Sequence, residues 1–172
     1  MTPTLSTPRL VLRPLTKATQ RQVGWLRNPE VVKYSEQRHR AHTLTTCLRY
    51  IHSFVPDGHI WSIWTMSDDY HIGNIAADVD VPNNIADLSI MIGDTTKWAD
   101  GYGTEAWRGA TEWLLDKHAG NLRKVEAGCM AMNTGMRMVM ERTGYQFEGE
   151  RKNHFLYQSN QPSGALFYGK FR

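Results

Sequence analysis

Three β-prone runs follow one another between Ile60 and Ile92, with only short polar turns between them. They are Ile60–Met66, His71–Val79 and Ala86–Ile92, joined by Ser67-Asp68-Asp69 and Pro82-Asn83-Asn84. Turns this short connect antiparallel neighbours, because a parallel pair needs a crossover of about a dozen residues or more. An antiparallel meander therefore occupies the middle of the chain, and the segments on either side must pack against it.

Before the meander, Leu10–Arg13 is extended and Pro14 ends it. Helices are expected over Lys17–Arg27, from Pro29 (capped by Asn28) to about Lys33, and over Leu44–Phe54, capped by Thr43. Leu44, Leu48, Ile51 and Val55 form the apolar stripe of the last of these. After the meander, Gly101-Tyr-Gly103 opens a helix to about Lys117, with Ala106, Ala110, Trp113 and Leu114 facing inward. A strand over Lys124–Met130 and a helix over Asn133–Thr143, stopped by Gly144, follow. Tyr145–Leu156 and Ala165–Phe171 form a last pair of strands around Gln158–Gly164. No linker, repeat or low-complexity segment interrupts the chain, and 172 residues suit one core. The expectation is a single mixed α/β domain over residues 1–172.

Composition narrows the function. The chain is 41% hydrophobic and 22% charged with a net charge of +3, and its basic residues are dispersed rather than massed on one face. That pattern gives no footprint for nucleic acid. The first seven residues are polar, unlike a signal peptide, and no run reaches the roughly 18 apolar residues of a membrane span. A cytoplasmic protein with no membrane partner is expected, as a monomer or homodimer. Cys47 and Cys129 lie far apart and read as two reduced thiols; no metal motif is present.

The segment richest in chemistry is Trp98-Ala-Asp-Gly101-Tyr-Gly103-Thr-Glu-Ala106. Two glycines let backbone N–H groups converge just ahead of a helix, whose positive end suits a pyrophosphate. A flexible turn with no ligand is the plainer alternative. Gly101, Gly103 and Ala106 also satisfy G-x-G-x-x-[GA], with Glu126 following at a fitting distance. A dinucleotide fold, however, sets its glycines directly after a strand of a parallel βαβ unit. Here residues 93–100 intervene, the strands form a meander, and Glu126 lies inside a strand rather than at its end.

The same segment resembles motif A of the GCN5-related N-acetyltransferase (GNAT) superfamily, whose pattern is Arg or Gln, two residues, Gly, one residue, Gly or Ala. The resemblance to its ribosomal-protein N-terminal acetyltransferase branch covers nearly the whole chain. Thr7-Pro-Arg-Leu-Val-Leu-Arg-Pro-Leu15 is similar to that branch's first strand, and Trp98–Ala106 to its Trp-Gly-Lys-Gly-Tyr-Ala-Thr-Glu-Ala motif. Leu122-Arg-Lys-Val125, Asn133 and Met140–Gly149 resemble its later elements. The resemblance implies a mostly antiparallel sheet with helices on both faces and a splay between the strands ending near Ile92 and Met130. It implies acetyl-CoA as co-substrate, lying in that splay. A backbone N–H at Met91 or Ile92 would hold the thioester oxygen. The N–H groups of Trp98, Ala99, Asp100, Gly101, Tyr102, Gly103 and Thr104 would hold the pyrophosphate, and Asn133 would meet the pantetheine arm or the edge of the second strand. Two positions depart from the pattern. Trp98 stands where motif A opens with Arg or Gln. Met140 stands where many members carry a tyrosine that protonates the departing thiolate.

An amine attacks a thioester only after losing a proton, so a base is needed. Asp87 is the first candidate: it occupies the position of a Glu in this branch, and strand alternation puts it on one face with Ser89 and Met91. A solvated acid near a strand start is the alternative. His154 is the second candidate, since histidine is the side chain whose charge changes near neutral pH; a structural role or a water relay stays open. Asp78 and Asp80 could bind a cationic substrate or simply be exposed, and His71 reads as a strand-surface residue. Trp61 and Trp64 should lie on opposite faces of one strand. Residues 28–39 resemble members that acetylate nucleotide-linked amino sugars, and Arg38, His39, Arg40 and His42 would suit a phosphate-bearing acceptor. The expected activity is acetyl transfer to a small primary amine, an amino sugar among the options. A protein N-terminus as acceptor, or a non-catalytic acyl-CoA sensor, are the alternatives.

Overall fold

The computed structural model describes residues 1–172, apart from the side chain of Ser159. Its strands are β1 (Leu5–Ser6), β2 (Leu10–Pro14), β3 (His59–Thr65), β4 (Tyr70–Asp80), β5 (Ile85–Ile92), β6 (Lys124–Met130), β7 (Gln146–Tyr157) and β8 (Gln161–Phe171). Its helices are α1 (Gln20–Arg27), α2 (Pro29–Val32), α3 (Leu44–His52), α4 (Tyr102–Asp116) and α5 (Thr134–Arg142). One sheet takes all the strands in the order β1-β2-β3-β4-β5-β6-β8-β7. Every pair is antiparallel except β5 with β6, and α4 supplies the crossover that a parallel pair requires.

The helix starts follow local chemistry. Thr19 caps α1 through a reciprocal box with Gln22, so Lys17 and Ala18 stay outside it. Thr43 caps α3 in the same way with Thr46. That helix buries Cys47 and Ile51, and Ile51 packs with Phe54 of the following turn on Leu15, Ile60 and Ala76, while Leu44, Leu48 and Val55 stay exposed. The stripe expected from the sequence is therefore displaced around the helix, because the patch of sheet beneath selects the face.

The opposite face of the sheet carries the main core. Leu12, Trp61, Ile63 and Leu88 meet Trp107, Ala110 and Leu114 of α4 and Met140 of α5. Trp113 is only partly buried, and Trp107 takes the inward place. Trp64 does lie on the other face from Trp61, stacked on His71 at 5.0 Å. His71 is not a surface residue. It is 3% exposed between Trp64 and Trp25 of α1, and its Nε2 bonds the Gly73 carbonyl and Asn74 Oδ1 at 3.0 Å each. Burial lowers its pKa. The sequence pattern misses this because α1 covers the strand.

A second histidine cluster sits at the edge of the main core. The Gly120 amide donates to Nδ1 of His118, so that ring donates from Nε2 to Nε2 of His59 at 3.0 Å. His59 in turn uses Nδ1 on Thr2 Oγ1 at 3.2 Å. Both rings are neutral in this arrangement.

Candidate active site

Only Ile85–Asp87 of β5 pair with β6, at Lys124–Glu126; beyond that the strands part. On their outer sides β5 stays paired with β4 as far as Ile92, and β6 with β8 as far as Met130. The result is a V-shaped gap with two free strand edges, part of a cleft of about 1430 Å³. The Gly93 amide donates into β4 at the Ile72 carbonyl, 2.9 Å away. Strand alternation then turns Met91 to β4 and leaves Ile92 and Ile90 facing the gap. The Ile92 carbonyl, on that side, accepts from Trp98 Nε1 at 2.8 Å. Of the two amides expected to face the thioester, Met91's is thus spent in the ladder and Ile92's is free. Behind this strand end, Gly93 has no room for a Cβ, because the Trp25 indole lies directly against it.

The glycine turn ends at the same place. Gly101 caps α4 with φ +81°, a backbone that suits glycine, and Ala99 also has positive φ at +66°. No side chain caps the helix, so the amides of Tyr102, Gly103 and Thr104 leave its end without partners. A Cβ on Gly103 would lie 3.6 Å from Ile92 Cγ1, an ordinary contact, which places the turn beside the free strand edge. A latch from the chain's start fixes the turn. Glu105 accepts from Thr7 Oγ1 at 2.6 Å, from the Arg9 amide at 2.7 Å and from Arg9 Nε at 2.6 Å. Arg9 Nη1 also holds the Asp100 carbonyl at 3.0 Å, and its guanidinium lies over the Tyr102 ring. Burial works to raise the Glu105 pKa, but the bonds from Thr7 and Arg9 outweigh it and hold the carboxyl low.

Asp87 sits at the vertex of the gap, opposite Asp78 on β4 and Glu126 on β6. Its pKa is pushed up to about 6, by burial first and then by Glu126 and Asp78. Water in the open cleft reaches the carboxyl, but protein crowds it on the other sides, and that crowding governs the shift. Tyr50 of α3 projects into the same cleft beside Ser89, with its own pKa raised by burial and by Asp87 and Asp78. Tyr50 is the residue the sequence reading missed. Its signal is positional: it follows Thr46 by one helical turn on the face that α3 turns to the cleft.

An acetyltransferase (GNAT) domain model matches residues 9–146. The chain belongs to the GNAT acetyltransferase family. It is an acetyl-CoA-dependent N-acetyltransferase. Solved GNAT structures share its fold at low identity. The ribosomal-protein α-N-acetyltransferase RimL, in complex with coenzyme A, has a TM-score of 0.79 at 11% identity over 98% of each chain. The microcin self-immunity acetyltransferase MccE, in complex with acetyl-CoA and AMP, has 0.76 at 15% identity over 96% of this chain and 93% of that one. A spermidine N-acetyltransferase from Vibrio cholerae has 0.75 at 14% identity over 94% and 93%. A search of curated proteins returned no match by sequence. These three neighbours take different acceptors, so the GNAT fold leaves the acceptor undetermined.

The remaining GNAT-motif residues have distinct fates. Asn133 caps α5 by accepting the Met136 amide on Oδ1 at 3.1 Å, and the residue lines the cleft. Met140 is fully buried in the main core and lines no part of the cleft. Cys129 does line it, with a thiol pKa pushed up to about 11 by burial; neither cysteine forms a disulfide. His154 lines the cleft from exposed β7 and stacks edge-on against Phe155. Of the two acids that could bind a cationic substrate or simply be exposed, Asp80 holds the Asn83 turn, and Asp78 stands across from Asp87 on β4.

Residues 34–42 form a strap over one end of the cleft. Tyr34 stacks on Tyr157 at 5.4 Å, and Arg38 donates to the Leu156 carbonyl at 2.8 Å. His42 is buried and its ring meets the Gln37 carbonyl at 2.8 Å; His39 is exposed outside the cleft. Arg40 lines the cleft. No helix among the described residues is long and apolar enough to cross a membrane.

Proposed function

We propose that this GNAT enzyme acetylates the primary amine of a small acceptor by direct attack, with Asp87 as the base. The observation that carries the reading is Asp87 itself, a carboxyl raised to about 6 at the vertex of the gap. A base with that pKa is ionised at neutral pH yet basic enough to take a proton from an ammonium that the cleft holds close. The free Ile92 amide would donate to the thioester oxygen as negative charge develops there. The uncapped amides of Tyr102, Gly103 and Thr104, with α4's positive end, suit the pyrophosphate. The free edges of β5 and β6 suit an extended pantetheine arm, with Asn133 beside it. Acetyl-CoA supplies the acyl group and the thiolate leaving group. As the C–S bond breaks, the second proton shed by the attacking nitrogen passes through water to the departing thiolate. Asp87 returns its own proton to solvent, and Tyr50 and His154 orient the acceptor.

The strap favours a small acceptor, an amino sugar among the candidates. Tyr34 on Tyr157 and Arg38 on Leu156 tie the acceptor end to β7, so a folded protein's N-terminus would have to thread beneath them. Turnover of acetyl-CoA should be measured against amino sugars, polyamines and peptides with free N-termini. The small amines should give the highest kcat/KM; a peptide exceeding all of them would establish the protein N-terminus instead.

A further inference from the structure

Beside the acceptor end of the cleft lies a second cavity of about 490 Å³, and the two share walls at Lys33, Arg40 and His42. Four cationic side chains line it, Arg27, Lys33, Arg38 and Arg40, and no acidic side chain does. Two of the four are matched nearby: Lys33 by Glu30 at 3.2 Å, and Arg38 by Glu36 at 2.9 Å. The other two meet no carboxylate among the described residues. Arg27 spends Nε and Nη2 on the His42 carbonyl, at 3.0 and 2.7 Å, and Nη1 remains. The Arg40 guanidinium is exposed and hydrogen-bonds to no protein group among the described residues. Like charges gathered around one cavity repel, and an anion placed among them recovers that energy. Arg40, Tyr50 and Asp87 all line the main cleft, so the cation at the wall of the second cavity and the base open onto the same space.

We propose that this cavity holds a phosphoryl group of the acceptor, so that the substrate is a phosphorylated amine. Its amine lies at Asp87 and its phosphate lies between Arg40 and Nη1 of Arg27. Two unmatched guanidiniums fit a group carrying about two negative charges, and guanidinium forks suit phosphate oxygens better than point charges do. A single carboxylate would leave one of the pair unanswered. The proposal rests on the amine-acetylating reading above and adds the chemical class of the acceptor's other end.

The test separates the two. With acetyl-CoA saturating, the α4 turn is filled, and inorganic pyrophosphate is titrated by calorimetry into the wild type, Arg40→Gln and Arg49→Gln. Arg49 lines the main cleft but not the second cavity, so its variant loses the same charge elsewhere. The expected result is pyrophosphate binding that weakens about tenfold or more in Arg40→Gln and much less in Arg49→Gln. In parallel, pairs of amines differing only in a terminal phosphate are compared by kcat/KM, and Arg40→Gln should erase most of the preference for the phosphorylated member. No pyrophosphate binding beside bound acetyl-CoA, equal losses in the two variants, or no preference within the pairs would each overturn the proposal. Arg40-dependent pyrophosphate binding with no turnover of any amine would support the anion site and count against Asp87 as base.

Discussion

Asp87 makes activity and stability pull in opposite directions. Its folded pKa of about 6 lies above the ordinary 3.8, so the folded chain holds this proton more tightly than the unfolded one. Its contribution to stability is therefore lost as pH rises from about 3.8 through about 6, and stays lost at neutral pH. Asp87→Asn should raise the melting temperature at pH 7.5 and change it little below pH 4. The same substitution should lower kcat/KM by roughly 10²- to 10⁴-fold, with the loss shrinking as pH approaches the amine's own pKa. Wild-type kcat/KM should climb with pH through an inflection near 6. Unchanged stability and a pH-independent loss together would show a carboxylate that orients substrate and abstracts nothing. Asp87's candidacy comes from the family resemblance and its face from strand alternation. Its raised pKa is not legible, because the burial and the neighbours Glu126 and Asp78 that cause it arise only through folding and register. Met140 shows the reverse: its place in the motif is readable, yet its side chain is buried in the core, where only packing can direct it. Met140→Leu, close in volume, should leave turnover near wild type.

Among the elements, α4 depends most on a partner far away in sequence. Nothing in its own first turn caps it, and Thr7 and Arg9 hold it through Glu105 instead. Glu105→Gln keeps the shape and weakens the charge-assisted bonds, so KM for acetyl-CoA should rise about tenfold while kcat changes little. Thr7→Ala should follow in the same direction with a smaller effect. An equal fall in kcat would mean that the latch shapes the reaction centre as well as the pyrophosphate turn. The sequence contains both ends of this latch, and Thr7 and Arg9 stand out as family-like, but a contact spanning nearly a hundred residues leaves no periodic trace. The strands fared differently. The meander, β6 and α5 follow from alternation and turn chemistry within a residue or two. β1, only two residues long, and the 3-10 turn at Glu36–His39 carry no such pattern and appear only through their partners.

At the scale of the whole molecule, the His59–His118 pair should contribute to acid sensitivity. Burial, then the neighbouring ring, lowers the His59 pKa from 6.5 to about 4, so between those values the unfolded chain takes up the proton more readily. The stability this neutral pair provides is lost as pH falls from 6.5 toward 4, the window in which Asp87 acts with the opposite sign. His59→Gln should flatten the decline in denaturation midpoint over that range; a decline as steep as wild type would place the acid sensitivity elsewhere. The mixed α/β domain with a meander at its centre was legible from the order of elements, whereas the rotation of α3 and the burial of His71 depended on what α1 and the sheet place opposite them. Trp25 of α1 rests on Gly93, immediately after the strand end whose amide faces the gap, so a helix from the segment before the meander backs that strand end directly. A segment spanning α1 to α3 grafted from a relative of different specificity would behave as an exchangeable cassette only if it brought an aromatic ring to Gly93. Without one, the graft would alter the acceptor and slacken the grip on the acyl donor together.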